Sequence, residues 1–244
     1  TLWHTLSLHD ALPISIELPE IHLAGVDGDG VLTLYTGDLA EQRVFDITTT
    51  EETYVVSLVG PGSSRGERLE VNAFGRVQQF DDVLRIAADG GTDTDDIRVM
   101  EEVITPATLG GGAGFDTLQG GSGNDTLDPG TEGATLQGGP GDDRYVFGPD
   151  FGPVSVIEEA DAGEDEIDLS AFEAALTATL GSLALTDGAG STVTHDGSEI
   201  ERLLLGSGDD MVLLTAPASP PPVDAGPGND TLIGPDGGAT YVID

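Results

Sequence analysis

Cysteine and lysine are both absent, and aromatic residues make up only 5% of the 244-residue chain. Without cysteine there are no disulfides and no thiolate metal sites. The eight basic residues, all arginine, stand against 45 acidic ones and leave a net charge of −37. Nothing in that balance can neutralise nucleic-acid phosphates, and it repels an anionic membrane surface. It suits a protein that gathers cations, or one kept soluble by self-repulsion as a halophile's surface is. No apolar run approaches the roughly 20 residues of a membrane-spanning helix, so no membrane insertion is expected. No basic region followed by an apolar core marks a signal peptide. So few aromatics exclude a core of large side chains. The 36 glycines suit tight turns between thin layers of small aliphatic residues.

Residues 1–15 stand apart from the rest. TLSLHDALPIS, Thr5 to Ser15, resembles a translated sequencing adapter (ACT CTT TCC CTA CAC GAC GCT CTT CCG ATC) and is set aside as non-native. That removes Trp3, His4 and His9 from functional argument. The chain begins without Met and ends in the repeat-like GGATYVID, so it reads as a fragment that continues into further repeats.

What is present is a period of nine. From Gly111 the chain divides into GGAGFDTLQ, GGSGNDTLD, PGTEGATLQ and GGPGDDRYV. Position six carries Asp116, Asp125, Ala134 and Asp143; position eight carries Leu118, Leu127, Leu136 and Tyr145. The third unit has lost its Asp but keeps its apolar residue in phase. Glycines at positions one, two and four permit a tight turn with positive φ, which gathers carbonyl oxygens in one concavity, and an Asp two residues on adds a carboxylate. Hard oxygen donors at that density suit Ca²⁺, which tolerates irregular geometry, better than Mg²⁺. The last three residues form a short strand with position eight pointing inward. One unit is then half a coil, and units two apart stack.

These units resemble the hemolysin-type calcium-binding (RTX) repeat, GGxGxDxUx with U apolar. The resemblance implies an all-β fold, a parallel β-roll or β-solenoid with irregular flanking β segments. It also implies Ca²⁺ held between successive turns by position-six Asp and turn carbonyls, and secretion by a Gram-negative bacterium through a one-step export channel, with folding outside the cell. The expected ligands of the second and fourth units are Asp125 and Asp143, with Asp142 nearby and the turn residues Gly121, Gly123, Gly139 and Gly141. The first and third units pair Asp116 with Ala134, and Glu132 replaces a turn Gly, so this site is expected to be weak or empty. Mutating Asp125 is expected to cost more affinity than mutating Asp116.

Looser copies share the frame. GGTDTDDIR from Gly90 offers Asp95, LGSGDDMVL from Leu205 offers Asp210, and AGPGNDTLI from Ala225 offers Gly228 and Asp230, the last lacking a partner two units on. The segments expected are an irregular β-solenoid or a β-sandwich over 16–100, the repeat array over 101–147, an inter-array β segment over 148–204, and a second, truncated array over 205–244. Alternation predicts strands at Val154–Ile157, Glu166–Leu169, Ser182–Leu185, Thr192–His195 and Ile200–Leu205. Ser170 and Glu173 form a potential capping box for a short helix over AFEAAL, with a bend in a coil as the alternative. Thr215–Asp224, rich in proline, reads as a loop, and DGDG at Asp27–Gly30 as a turn, since its spacing fails the EF-hand pattern.

No Ser elbow, H-E-x-x-H, Cys nucleophile or phosphate loop is present. His195 beside Asp196 reads as a solvent-facing strand-end histidine. The chain is therefore not expected to be an enzyme. Three readings stay open. One is a calcium-dependent, adhesin-like structural module with an unknown cell-surface partner. Another is the export and folding module of a secreted enzyme or toxin. The third is a solenoid that keeps its shape without metal.

Overall fold

The structure is a computed structural model that describes residues 22–42, 51–158, 163–180, 184–195, 200–215, 221–234 and 240–243. Residues 1–15, with the adapter-like segment, lie outside them. Strands β1 (Ala24–Val26) and β2 (Val31–Leu34) form a hairpin, followed by a 3-10 helix over Gly37–Gln42. Strands β3 (Thr53–Pro61), β4 (Glu67–Ala73) and β5 (Arg76–Val83) form an antiparallel meander. The coiled part follows with β6 (Arg85–Asp89), β7 (Asp96–Val99), β8 (Ala107–Gly110), β9 (Asp116–Gln119), β10 (Thr126–Asp128), β11 (Ala134–Gln137), β12 (Arg144–Val146), β13 (Pro153–Ile157) and β14 (Glu166–Asp168). Then come β15 (Thr177–Leu180), β16 (Ala184–Thr186), β17 (Thr192–Thr194), β18 (Arg202–Leu204), β19 (Met211–Leu214), β20 (Val223–Asp224), β21 (Asp230–Ile233) and β22 (Thr240–Ile243).

These strands make two sheets. A nine-stranded sheet runs β1-β2-β6-β8-β10-β12-β14-β18-β20, and a thirteen-stranded one runs β22-β21-β19-β15-β16-β17-β13-β11-β9-β7-β3-β4-β5. From β6 to β14 consecutive strands alternate between the sheets and pair in parallel with the strand two places on. The fold is thus all-β and solenoid-like. Thr126 lies between Thr108 and Arg144 in register, 18 residues either way, so two nine-residue units make one coil. The sheets continue upstream through the parallel pairs β2–β6 and β3–β7. Downstream, β15–β17 form hairpins that widen the larger sheet before parallel pairing resumes at β19.

Position-eight side chains form two facing files. Leu109, Leu127, Tyr145, Ile167 and Leu203 are successive neighbours in one sheet, and Tyr54, Ile97, Leu118, Leu136 and Val156 in the other. All are buried. A small aliphatic side chain removed from water contributes about 1.5–3 kcal/mol, so each coil adds a thin slice of core. One consequence is that a coil has no core without its neighbours.

Several expectations change. The stretch after Leu169 is not a helix but a turn. Phe172 N donates to Leu169 O, and Ser207 N, one coil on, donates to Phe172 O. Phe172 and Leu176 are buried, so the segment spends its apolar residues on closing a coil and the alternative bend is what forms. The proline-rich stretch is not loop to its end, because Val223–Asp224 pairs with β18; residues 216–220 lie outside the described residues. The predicted strand over Ser182–Leu185 is Ala184–Thr186, with 182 and 183 outside them as well. DGDG forms the β1–β2 turn, in which Asp27 Oδ1 accepts from the amides of Asp29 and Val31 and Gly30 sits at φ +81°.

Candidate metal centre

Position six precedes position eight by two residues, so on a strand both side chains face inward. Position six, however, sits where the turn enters the strand, at the rim of the core. Asp95, Asp116, Asp125, Asp143, Asp165, Asp210 and Asp230 are all 1% exposed or less. A carboxylate placed so deeply must find donors or a cation.

Donors come first. At the turns leading into the nine-stranded sheet, Ala107 N donates to Asp125 Oδ1 at 2.6 Å, Asp125 N to Asp143 Oδ1 at 2.7 Å, Asp143 N to Asp165 Oδ1 at 2.8 Å and Asp165 N to Glu201 Oε2 at 2.8 Å. At the opposite turns, Glu52 N donates to Asp95 Oδ1 and Asp95 N to Asp116 Oδ1, each at 2.8 Å. There the ladder stops. Ala134 has no carboxylate, and Asp116 N turns to Gly133 O at 3.3 Å. Further along, Leu176 N donates to Asp210 Oδ1 and Asp210 N to Asp230 Oδ1, again at 2.8 Å. Each such bond ties one coil to the next.

The second oxygens decide where a cation fits. Oδ2 of Asp95, Asp116, Asp143, Asp210 and Asp230 is buried and has no hydrogen-bond partner among the described residues. Asp125 differs: its Oδ2 accepts from Gly121 N at 2.8 Å. The Asp125–Asp143 pair is stacked as expected, yet the denser oxygen cluster lies one coil further on. Asp143, Glu158 and Asp165 each place a carboxylate oxygen within 4.8 Å of the others, and together they can hold a metal ion. Gly138 forms the floor. A Cβ there would abut Asp143 Oδ2, with Tyr145 Oη at 2.6 Å and Glu158 Oε1 at 2.7 Å. Tyr145 Oη accepts from Gly138 N at 2.7 Å and donates to Glu158. This cradle of oxygens exists because position one has no side chain.

Electrostatics agree with the geometry. Burial pushes the carboxyl groups of Asp95 and Asp143 up to about 7 and those of Asp116 and Asp125 up to about 6, with backbone amides pulling the other way. Neighbouring carboxylates add to the rise: Asp116 and Glu52 act on Asp95, and Asp125 and Asp165 on Asp143. Asp210 is raised by burial and then by Asp230. Tyr145 is also raised, by burial and by Glu158. A cation would reverse these penalties.

The turn glycines have two different duties. Gly139 and Gly141 sit at φ +94° and +140°. Gly121, Gly123 and the position-one glycines Gly111, Gly120 and Gly138 do not have positive φ, contrary to expectation. They are glycine for room. A Cβ on Gly123 would lie 2.9 Å from Pro106 N and one on Gly121 2.5 Å from Val103 O, both in the preceding turn. In the same way a Cβ on Gly139 would lie 2.5 Å from Gly121 O, and one on Gly228 would run into Gly208 O. The carbonyls of Gly121 and Gly208 therefore point along the stack toward the following turn.

Asp142 faces away from the cluster. Its carboxylate is exposed and accepts from Asn124 Nδ2 and Glu164 N, in an outer file of position-five residues. Asp230 does have a partner, upstream in Asp210. His195 is 6% exposed rather than solvent-facing, because its ring bonds Val156 O in the neighbouring strand. Glu158 and Asp165 were missed by the nine-residue frame. Asp165 had a signal, since Gly163, Asp165 and Ile167 keep positions four, six and eight, four residues out of phase with the array. Glu158 had none, because its approach depends on the longer coil that follows Tyr145.

Compared with protein-family models, with curated proteins and with solved structures, the chain finds no match.

Proposed function

We propose that the chain is a calcium-binding structural module of a secreted bacterial protein, and that its coils close on Ca²⁺ outside the cell. The observation that carries this reading is the all-oxygen cluster of buried Asp143 and Asp165 with half-buried Glu158, to which Asp143 brings an Oδ2 that has no hydrogen-bond partner among the described residues. An oxygen-only donor set in an irregular turn suits Ca²⁺ better than Mg²⁺, which requires near-octahedral placement, or Zn²⁺, which favours nitrogen and sulfur. The nine-residue frame and its resemblance to the RTX repeat support the same ion, and from that resemblance come the secreted location and the role of folding outside the cell. Asp95 with Asp116, and Asp210 with Asp230, repeat the arrangement with fewer carboxylates.

The chain's own residues do the work of coupling binding to folding. Unliganded, the stacked carboxylates repel and bury charge, while a glycine-rich backbone loses much entropy on ordering. Bound Ca²⁺ supplies the positive charge that offsets both, so its binding free energy becomes folding free energy. Calorimetric titration of the full chain with CaCl₂, run beside circular dichroism, tests this. Binding should be accompanied by a gain in strand signal. Identical strand signal and melting temperature in CaCl₂ and in EDTA would refute it. A second reading, a solenoid independent of metal, draws on Asp125, whose two oxygens are both met by amides; it predicts that null result.

A further inference from the structure

We propose that His195 and Glu158 form a second cation site, for a borderline divalent ion of the Zn²⁺ class, at the carboxyl ends of β13 and β17. A cavity of about 360 Å³ opens there, lined by Ser155, Val156, Ile157, Glu158, Thr194 and His195. The two strands are parallel neighbours with Ser155 opposite Thr194, which sets His195 beside Val156. Nδ1 of His195 lies 3.1 Å from Val156 O. A carbonyl oxygen only accepts, so Nδ1 carries a ring proton, and in the neutral imidazole Nε2 then carries the lone pair. His195 is 6% exposed, and Nε2 has no hydrogen-bond partner among the described residues.

A buried acceptor with no donor is costly, and natural structures seldom keep one without a use. Among the described residues, the cavity lining contains no Lys or Arg to meet it. It does contain a carboxylate, and imidazole nitrogen with carboxylate oxygen is a donor set for Zn²⁺, Ni²⁺ or Cu²⁺ rather than for Ca²⁺. An imidazole whose tautomer is fixed by a backbone carbonyl on its far nitrogen is also how metal-ligating histidines are oriented. Water completes the coordination. Glu158 is the one residue shared with the oxygen cluster, so the two sites meet at it, but the nitrogen ligand makes this site independent of the calcium reading.

The test titrates ZnCl₂ into the full chain already saturated with CaCl₂. The background carries His4→Gln, His9→Gln and His22→Gln, which leaves His195 as the remaining histidine of four. Adding His195→Asn keeps a nitrogen donor for Val156 O and removes Nε2. Zn²⁺ affinity should fall by about ten-fold or more, as for loss of a ligand, while Ca²⁺ affinity stays the same. Electron paramagnetic resonance of Cu²⁺ bound to the same background, without the Asn change, should show coupling to one imidazole nitrogen. That readout needs no substitution at His195. Equal Zn²⁺ affinity with and without His195, or Cu²⁺ spectra lacking nitrogen coupling, would overturn the proposal. Zn²⁺ binding through His195 in a chain that ignores Ca²⁺ would uphold it and sink the calcium reading alone.

Discussion

The main-chain amide of Asp125 donates a 2.7 Å hydrogen bond to Oδ1 of Asp143, eighteen residues later and one coil away. Each position-six Asp so placed has two tasks. One oxygen fastens the preceding coil; the other faces its own turn. Charge-assisted bonds of this kind contribute about 1.5–3 kcal/mol, so the ladder is structural even before any cation is considered.

The two tasks separate by mutation. Asp143→Asn keeps an oxygen for Asp125 N but loses the bare anionic oxygen of the cluster. Ca²⁺ affinity should fall by about ten-fold or more, given its dependence on ligand charge. Asp125→Asn puts an amide donor against either Ala107 N or Gly121 N. It should cost about 1–3 kcal/mol of stability with a smaller loss of affinity. Titration calorimetry and denaturant melts of both variants check this, and equal affinity losses would contradict it.

In EDTA the folded chain should be more stable in acid than at neutral pH. Asp95 and Asp143 are pushed up to about 7, and Asp116 and Asp125 to about 6, from the ordinary aspartate value of 3.8. Groups raised in the folded state bind protons there that the unfolded state releases. Their favourable contribution is full below pH ~4 and is lost as pH rises through about 6 to 7. Denaturant midpoints in EDTA should fall from pH 4.5 to pH 8. Saturating Ca²⁺ should flatten or reverse that slope, because the ion competes with the protons.

Gly138→Ala and Gly139→Ala should fail differently. Gly138 has no positive φ; its Cβ would fill the oxygen cradle beside Asp143, Tyr145 and Glu158. Gly139 sits at φ +94°, and its Cβ would press on Gly121 O. The first change should chiefly abolish Ca²⁺-dependent stabilisation. The second should lower stability by about 1–2 kcal/mol from backbone strain, and further through the contact with Gly121 O, with or without Ca²⁺. Thermal melts in CaCl₂ and in EDTA distinguish them.

Glu132→Gly should stabilise the fold. Glu132 holds φ +75° in the turn where the repeat has a glycine, and its side chain is exposed. Relieving that strain should add about 1 kcal/mol, less the backbone entropy that a glycine brings. Ca²⁺ affinity should not change, since neither Glu132 nor Ala134 belongs to the carboxylate cluster. An unchanged or lower denaturant midpoint would count against the strain argument.

The legible part of the fold was its period. Leu118, Leu127, Leu136 and Tyr145 recur every nine residues, and that recurrence carries the half-coil, the alternation between sheets and the inward Asp. The hairpins β15–β17 and the meander β3–β5 were not legible as such. Their alternating residues signal strands without saying whether the next partner is parallel or antiparallel. His195 was misread for a related reason: a histidine at a strand end looks the same in sequence whether its neighbour is solvent or Val156 O.

The sequence by itself determined the rhythm of turns and the position of the carboxylates within each unit, because glycine, Asp and an apolar residue at fixed offsets impose local geometry without help from distant residues. Only the tertiary structure decided which carboxylate keeps an uncommitted oxygen. Asp125 and Asp143 occupy identical places in the repeat. They differ because Gly121 N reaches one, whereas the longer coil after Tyr145 brings Glu158 and Asp165 to the other. Proximity across coils of unequal length is a property of stacking, and no local pattern encodes it.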